Sequence, residues 1–282
     1  MSFRRACIIG HPVAHSRSPL IHRHWLAEHK IDGDYVREDL PPEKIGSFLA
    51  GFANSGYVGA NVTIPHKEAA FRAAARTDPV AAALKAVNTL WLEQGCLAGS
   101  NTDVYGFLAH LDETLPGWDK RTGMAVVLGA GGAARAVVYG LLERGVGRVW
   151  VINRTRRRAE ALAAEFCKRV TPAGFAELPQ HFSEADLLVN ATSLGMTGQP
   201  PLEIDLSPLK ADAAVYDIVY APLETPLLAS ARARGHPVVD GLGMLLHQAV
   251  PGFERWFGIR PKVTPALRAR IVEDLGAKEH SR

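Results

Sequence analysis

The sequence predicts an α/β protein of two domains, with C-terminal helices that return to the first. Three observations carry this reading. Short apolar runs alternate with stretches of helical periodicity along all 282 residues, the pattern of strands joined by crossover helices. Hydrophobic residues make up 47% and charged residues 22%, a composition that can fill two cores and excludes disorder. A glycine-rich turn in mid-chain lies between an apolar run and a helical pattern, so a second α/β unit opens there.

In the first third, strands are predicted at residues 6–10, 34–40, 56–62 and 88–92, with a return strand at 96–98 after the turn Glu93-Gln94-Gly95. Helices are predicted at 19–29, 42–54 and 66–75, the first capped by Ser18 with Pro19 at its first position. Val104, Phe107, Leu108 and Leu111 share one helix face, and Pro116-Gly117-Trp118-Asp119 then breaks the chain. Further strands are expected at 124–128, 149–152, 187–190, 214–217 and 238–239, with a clear helix at 133–144 ended by Gly145. Beyond Asp240-Gly241 the chain reads as helical to about residue 257, and a last helix covers 265–275.

Composition narrows the function. A net charge of +3 without a basic stripe favours small anionic ligands and argues against nucleic acid. Cys7, Cys96 and Cys167 are odd in number and far apart, which fits a reducing compartment and neither a disulfide framework nor a zinc knuckle. The N-terminus lacks the apolar core of a signal peptide, and no run reaches the roughly 18 apolar residues of a membrane span. A soluble, cytoplasmic protein is expected. His11, His15, His22, His24 and His29 crowd the start of the chain. A metal needs convergent ligands, so they are read as a solvated, partly helical surface and no metal site is expected.

Gly129-Ala130-Gly131-Gly132-Ala133-Ala134 fits G-x-G-x-x-A between a strand and a helix. Gly129 permits the tight turn, Gly131 lets backbone approach a pyrophosphate, and Ala134 lets helix meet strand. The helix start offers unpaired N–H groups to the anion. The next strand ends in Asn153-Arg154-Thr155-Arg156-Arg157-Arg158, with no carboxylate before Glu160. An acidic residue there would favour the ribose hydroxyl of NAD. Arg154 instead suits a 2′-phosphate, with hydrogen bonds from Asn153 and Thr155, so NADP is the expected cofactor. Arg156 to Arg158 also fit a solvated helix face.

Four polar clusters fall at predicted strand ends or helix starts. Ser16 and Ser18 could cradle a carboxylate at a helix N-terminus, although Ser18 could equally be a plain cap. In Asn61-Val62-Thr63-Ile64-Pro65-His66-Lys67, Thr63 is expected to cap a helix that Pro65 starts, with Lys67 in its first turn. The positive helix end disfavours an ammonium there, which suits a lysine that trades a proton. A surface lysine is the plainer alternative. Val87-Asn88-Thr89 and Asn101-Thr102-Asp103 complete the set. Asp103 could steady Lys67 or simply cap a helix.

Taken in order, these motifs resemble the shikimate dehydrogenase family. The resemblance extends through Asn190-Ala191-Thr192-Ser193-Leu194-Gly195-Met196, Asp217-Ile218-Val219-Tyr220, and Asp240-Gly241 to Gln248. It implies an N-terminal α/β substrate-binding domain at 1–103, with 241–282 packing back on it, and a Rossmann-type NADP-binding domain at 104–240, facing each other across a cleft. It implies that Ser16 and Ser18 hold the substrate carboxylate. Thr63, Asn88, Asp103 and Gln248 would bind ring hydroxyls, with Tyr220 lining the site. Lys67 would be the acid/base, helped by Asp103. Gly129, Ala130, Gly131, Gly132, Ala133, Asn153, Arg154, Thr155 and Arg158 would hold NADP, with Ile218 and Gly241 flanking its nicotinamide.

Four residues depart from the family pattern: Lys85 for a usual glycine, His66 for an apolar or aromatic residue, Pro79 for an acidic one, and Ile218 for a frequent methionine. The implied reaction is reversible reduction of 3-dehydroshikimate to shikimate, within aromatic amino acid and chorismate biosynthesis. A quinate/shikimate dehydrogenase and a non-catalytic binding relative are the alternatives. A homodimer is compatible with the resemblance.

Overall fold

The computed structural model describes residues 3–279. The chain begins with β1 (Arg4–Gly10), α1 (Ser18–Glu28), β2 (Gly33–Asp39), α2 (Ile45–Ala50), β3 (Tyr57–Val62) and α3 (Lys67–Ala73). It continues through β4 (Arg76–Thr77), α4 (Pro79–Leu84), β5 (Thr89–Glu93), β6 (Cys96–Ser100), α5 (Asp103–Thr114) and α6 (Trp118–Arg121). Next come β7 (Met124–Leu128), α7 (Gly132–Glu143), β8 (Arg148–Ile152), α8 (Arg156–Ala163), β9 (Val170–Ala173), α9 (Leu178–Phe182) and β10 (Leu187–Asn190). The last are β11 (Ala214–Asp217), α10 (Pro226–Ala233), β12 (Val238–Val239), α11 (Leu242–Phe257) and α12 (Pro265–Glu279). Two compact units result. One runs to Gly106 and resumes at Leu246; the other spans Phe107–Leu245.

The first unit has a six-stranded sheet in the order β2-β1-β3-β5-β6-β4. β1 pairs parallel with β2 and β3, while β5 runs antiparallel to β3 and β6. Cys7, Ile9, Ala60, Val62 and Leu90 form a core with Leu49 and Phe52. An aromatic group also forms within this unit, where His22 stacks on Tyr35 at 4.0 Å and Trp25 and Phe253 meet edge-on. Gly59 makes room for Trp256, whose Nε1 lies 1.8 Å from where a Cβ would stand and donates to the Leu90 carbonyl at 2.9 Å.

The second unit has an all-parallel sheet in the order β12-β11-β10-β7-β8-β9. Every residue of β7 is buried, as expected for a strand with neighbours on both sides and both faces covered. Strand order reverses between β7 and β10, so their carboxyl ends form the crevice where such sheets take ligands.

Several expectations need correction. Ser18 does not cap α1. It is the first helical residue, and its N–H donates to Ser16 Oγ at 3.2 Å, so the residue two places earlier satisfies the helix start. Thr63 is likewise no cap, because α3 starts only at Lys67, with His66 at the cap position. His22 is not on a solvated surface but fully buried, and burial lowers its pKa to about 3. The 42–54 segment splits at Ala50, with a separate 3-10 turn at Phe52–Asn54. The last helix runs on to Glu279. β4, α4 and β9 were not anticipated; β9 contains Pro172 on the sheet edge, where a missing N–H is tolerated.

Three departures from the family pattern gain physical reasons. Lys85 ends α4 in the left-handed conformation (φ 50°), which explains why glycine suits that place. Pro79 occupies the first turn of α4, whose start Asp78 caps through Ala81 N–H at 2.6 Å. His66 is buried, with Nε2 2.6 Å from the Leu40 carbonyl.

Candidate active site

In the first unit, the polar motifs that were separate in sequence converge. Lys67 opens α3, and its ammonium pairs directly with the Asp103 carboxylate at the start of α5. The other carboxylate oxygen accepts from Asn88 Nδ2 at 2.8 Å. Asn101 Oδ1 holds the Asp103 N–H at 3.0 Å. Asn88 in turn is fixed by Thr102, whose N–H donates to its Oδ1 at 2.8 Å. The Thr102 hydroxyl donates to the Gln248 carbonyl at 2.8 Å, which fixes the position of Gln248 on α11. Lys67 and Asp103 keep 27% and 14% side-chain exposure, enough for a reactant to reach them.

Ser16 and Ser18 join this network through residues the sequence reading did not assign. Ser18 is buried and lies close to the Tyr35 hydroxyl. Tyr35 Oη donates to Asn61 Oδ1 at 2.6 Å, and Asn61 Nδ2 donates to the Asn88 carbonyl and to Thr89 Oγ1, both at 3.2 Å. Burial pushes the Tyr35 pKa well up, so its proton stays on. Thr63 packs on the space left by Gly10, where a Cβ would stand 2.4 Å from its methyl group. Asn61 lay inside a quoted motif and could have been found there. Tyr35 carried no local signal, because its role depends on sheet pairing.

In the second unit, Gly129 follows β7 with φ +106°, and a Cβ there would meet the Ala191 carbonyl and Thr192 at 3.0 Å. Glycine is needed on both counts. At Gly131 and Gly132 an added Cβ would meet nothing within 4 Å. The turn is therefore open over the start of α7, where first-turn N–H groups lack helical partners. That space and those donors fit a pyrophosphate, with Ala130 and Ala133 in the same turn. After β8, Asn153 Nδ2 donates to the Thr155 carbonyl at 2.9 Å and closes the loop that carries Arg154. Arg154 and Arg158 are exposed. Arg156 is engaged with Glu160 and Glu177 at 3.1 and 2.7 Å, so it belongs to the solvated helix face.

Gly241 sits against the loop after β11, where a Cβ would lie 2.1 Å from the Ile218 carbonyl oxygen. Only glycine allows that approach, and it places Ile218 and Gly241 side by side. Tyr220 lies two residues further along the same loop and is half-buried.

Asp217 anchors this loop. Its Oδ1 accepts from Val219 N–H and Asn190 Nδ2 at 3.0 and 2.9 Å, and its Oδ2 from the Thr225 hydroxyl at 2.7 Å. Burial still raises its pKa to about 6. A carboxylate raised in the folded state favours folding while protonated, so stability falls as pH rises from about 4 to about 6. The full penalty, on the order of 3 kcal/mol, applies above that window. Asp217→Asn is expected to flatten this part of the curve; urea unfolding at the two ends of the window checks it, and an unchanged slope would refute the assignment.

Comparison with known proteins agrees with this arrangement. Family models match in chain order: a shikimate dehydrogenase substrate-binding domain at residues 8–90, a shikimate/quinate 5-dehydrogenase domain at 114–196, and a shikimate 5′-dehydrogenase C-terminal domain at 241–269. A relative from Azorhizobium caulinodans, named shikimate dehydrogenase (NADP(+)), is 60% identical over 98% of both chains. This chain belongs to the shikimate dehydrogenase family. Two solved structures share the fold as well as the sequence. Shikimate 5-dehydrogenase from Thermus thermophilus, in complex with NADP(H) and shikimate, is 38% identical with a TM-score of 0.85, covering 96% of this chain and 99% of that one. Quinate dehydrogenase from Corynebacterium glutamicum, in complex with NAD, is 31% identical with a TM-score of 0.88, covering 96% and 100%. The α/β architecture is that of the shikimate dehydrogenases, a substrate-binding domain and a Rossmann domain. No helix among the described residues is long and apolar enough to cross a membrane.

Proposed function

We propose that this chain catalyses the reversible, NADP-dependent reduction of 3-dehydroshikimate to shikimate. The observation that carries the reading is the Lys67–Asp103–Asn88 constellation in a chain of this family. The Gly129–Ala133 turn, with Asn153, Arg154, Thr155 and Arg158, would hold NADPH, which when bound would supply the hydride. Lys67 gives a proton to the carbonyl oxygen in the reducing direction and takes it back in the other. Asp103 holds the ammonium in place and, with Asn88, Thr63 and Gln248, binds the ring hydroxyls. Ser16 and Ser18 hold the carboxylate. Ile218 and Gly241, packed against each other, would flank the nicotinamide, and Tyr220 would line the substrate side. Gly129 and Gly241 support these roles, since each stands where a larger residue would block the backbone approach.

The test is direct. Purified protein with shikimate should generate NADPH absorbance from NADP, and substituting NAD should lower kcat/KM. A protein that binds both ligands without turnover would be a silent relative instead. The structural kinship with a quinate dehydrogenase keeps quinate as a second substrate. Side-by-side kcat/KM values on the two acids decide between them, with shikimate expected to lead. The cytoplasm is the compartment this biosynthetic role implies.

A further inference from the structure

The segment that carries Ser16 and Ser18 is gripped by two guanidinium groups. Arg37, on β2, donates to the Ser16 carbonyl through Nε at 3.2 Å and Nη2 at 2.5 Å. Arg17 donates to the His15 carbonyl at 2.7 Å and pairs with Asp274 of α12 at 2.9 Å. Two places back along the same face of β2, the Tyr35 hydroxyl lies close to Ser18. Strand β2 thus fixes the segment through Arg37, at the Ser16 backbone.

Donor arithmetic leaves Ser16 ready for an acceptor. Its Oγ accepts the Ser18 N–H, so its own proton is left for an incoming group. The residue whose backbone Arg37 clamps therefore has a hydroxyl proton to give.

Charge points the same way. Arg37 stands in a basic cluster with Arg17 and Arg23, which pair with Asp274 and Asp34. Partial desolvation and then the two neighbouring guanidinium groups hold its pKa below the ordinary arginine value. Such a cluster favours an anion beside it.

We propose that Arg37 is a positioning residue for the substrate carboxylate, holding Ser16 in donor geometry and biasing the pocket towards an anion. It touches no reacting atom. The idea rests on the carboxylate role given to Ser16 above and adds a residue to it. It follows that Arg37 should matter for a carboxylate and little for a neutral ester, because charge-assisted hydrogen bonds exceed neutral ones in strength.

Arg37→Met is the test, since the side chain is exposed and its loss leaves the core intact. KM for shikimate should rise about tenfold, with kcat and KM for NADP within about twofold of wild type. The kcat/KM for shikimate methyl ester should change by less than about twofold. A merely structural role would lower turnover on acid and ester alike. Equal losses on both, or an unchanged KM for the acid, would overturn the proposal. Wild-type protein inert towards shikimate would instead remove the reading on which it rests, so the two failures are distinguishable.

Discussion

Lys67→Ala is expected to cut the turnover of shikimate by about 10²–10⁴-fold, the range general acid–base catalysis contributes. Binding of NADP should hardly change, since Lys67 belongs to the substrate unit and the glycine turn to the other. Steady-state kinetics with a separate NADP titration would check this. Asp103 makes the case sharper. Its carboxylate touches both the ammonium and Asn88, so removing the lysine leaves a half-buried carboxylate with one fixed partner. Lys67→Ala should therefore also lose some stability, and Lys67→Met, which lacks the ammonium too, should lose a similar amount and be equally inactive. Near-normal turnover in either variant would end the proton-transfer role.

Arg154→Ala should raise the Kd for NADP by about 10–100-fold, as loss of a charge-assisted pair with a phosphate does. The Kd for NAD should stay within about twofold, because the 2′-hydroxyl offers no charge to the guanidinium. The loop itself is expected to survive, since Asn153 closes it through the Thr155 carbonyl and not through Arg154. Fluorescence titrations with both cofactors would measure the ratio. Equal weakening of NADP and NAD would mean that Arg154 shapes the adenine pocket and reads no phosphate.

Much of this is legible in the sequence. Strands β7, β10, β11 and β12 coincide with their sequence-based boundaries, because buried parallel strands are unbroken apolar runs flanked by turn residues. The family fold and its nucleotide cofactor were also legible, from motifs whose order no local packing dictates. Helix starts were harder. Ser18 and Thr63 are good caps by residue type, yet α1 starts at Ser18 itself under Ser16 and α3 starts only at Lys67. β4 is two residues long and β9 contains a proline, so neither leaves a periodic trace. His22 illustrates a different failure. A histidine on a predicted helix reads as solvated, but Trp25 of the same helix and Tyr35, Phe253 and Trp256 from distant segments enclose it. The same applies to Tyr35 and Arg37, whose importance comes from the strand pairing that sets β2 beside β1.

The split of the substrate unit across the ends of the chain sets its order of assembly. Trp256 fills the notch at Gly59 and bonds the Leu90 carbonyl, so the sheet built from the first hundred residues is completed by a helix made after the second unit. During synthesis, the early strands must wait unfinished while the whole inserted nucleotide unit emerges and folds on its own. A ribosome stalled before Trp256 should carry a protease-resistant middle segment and a protease-sensitive beginning.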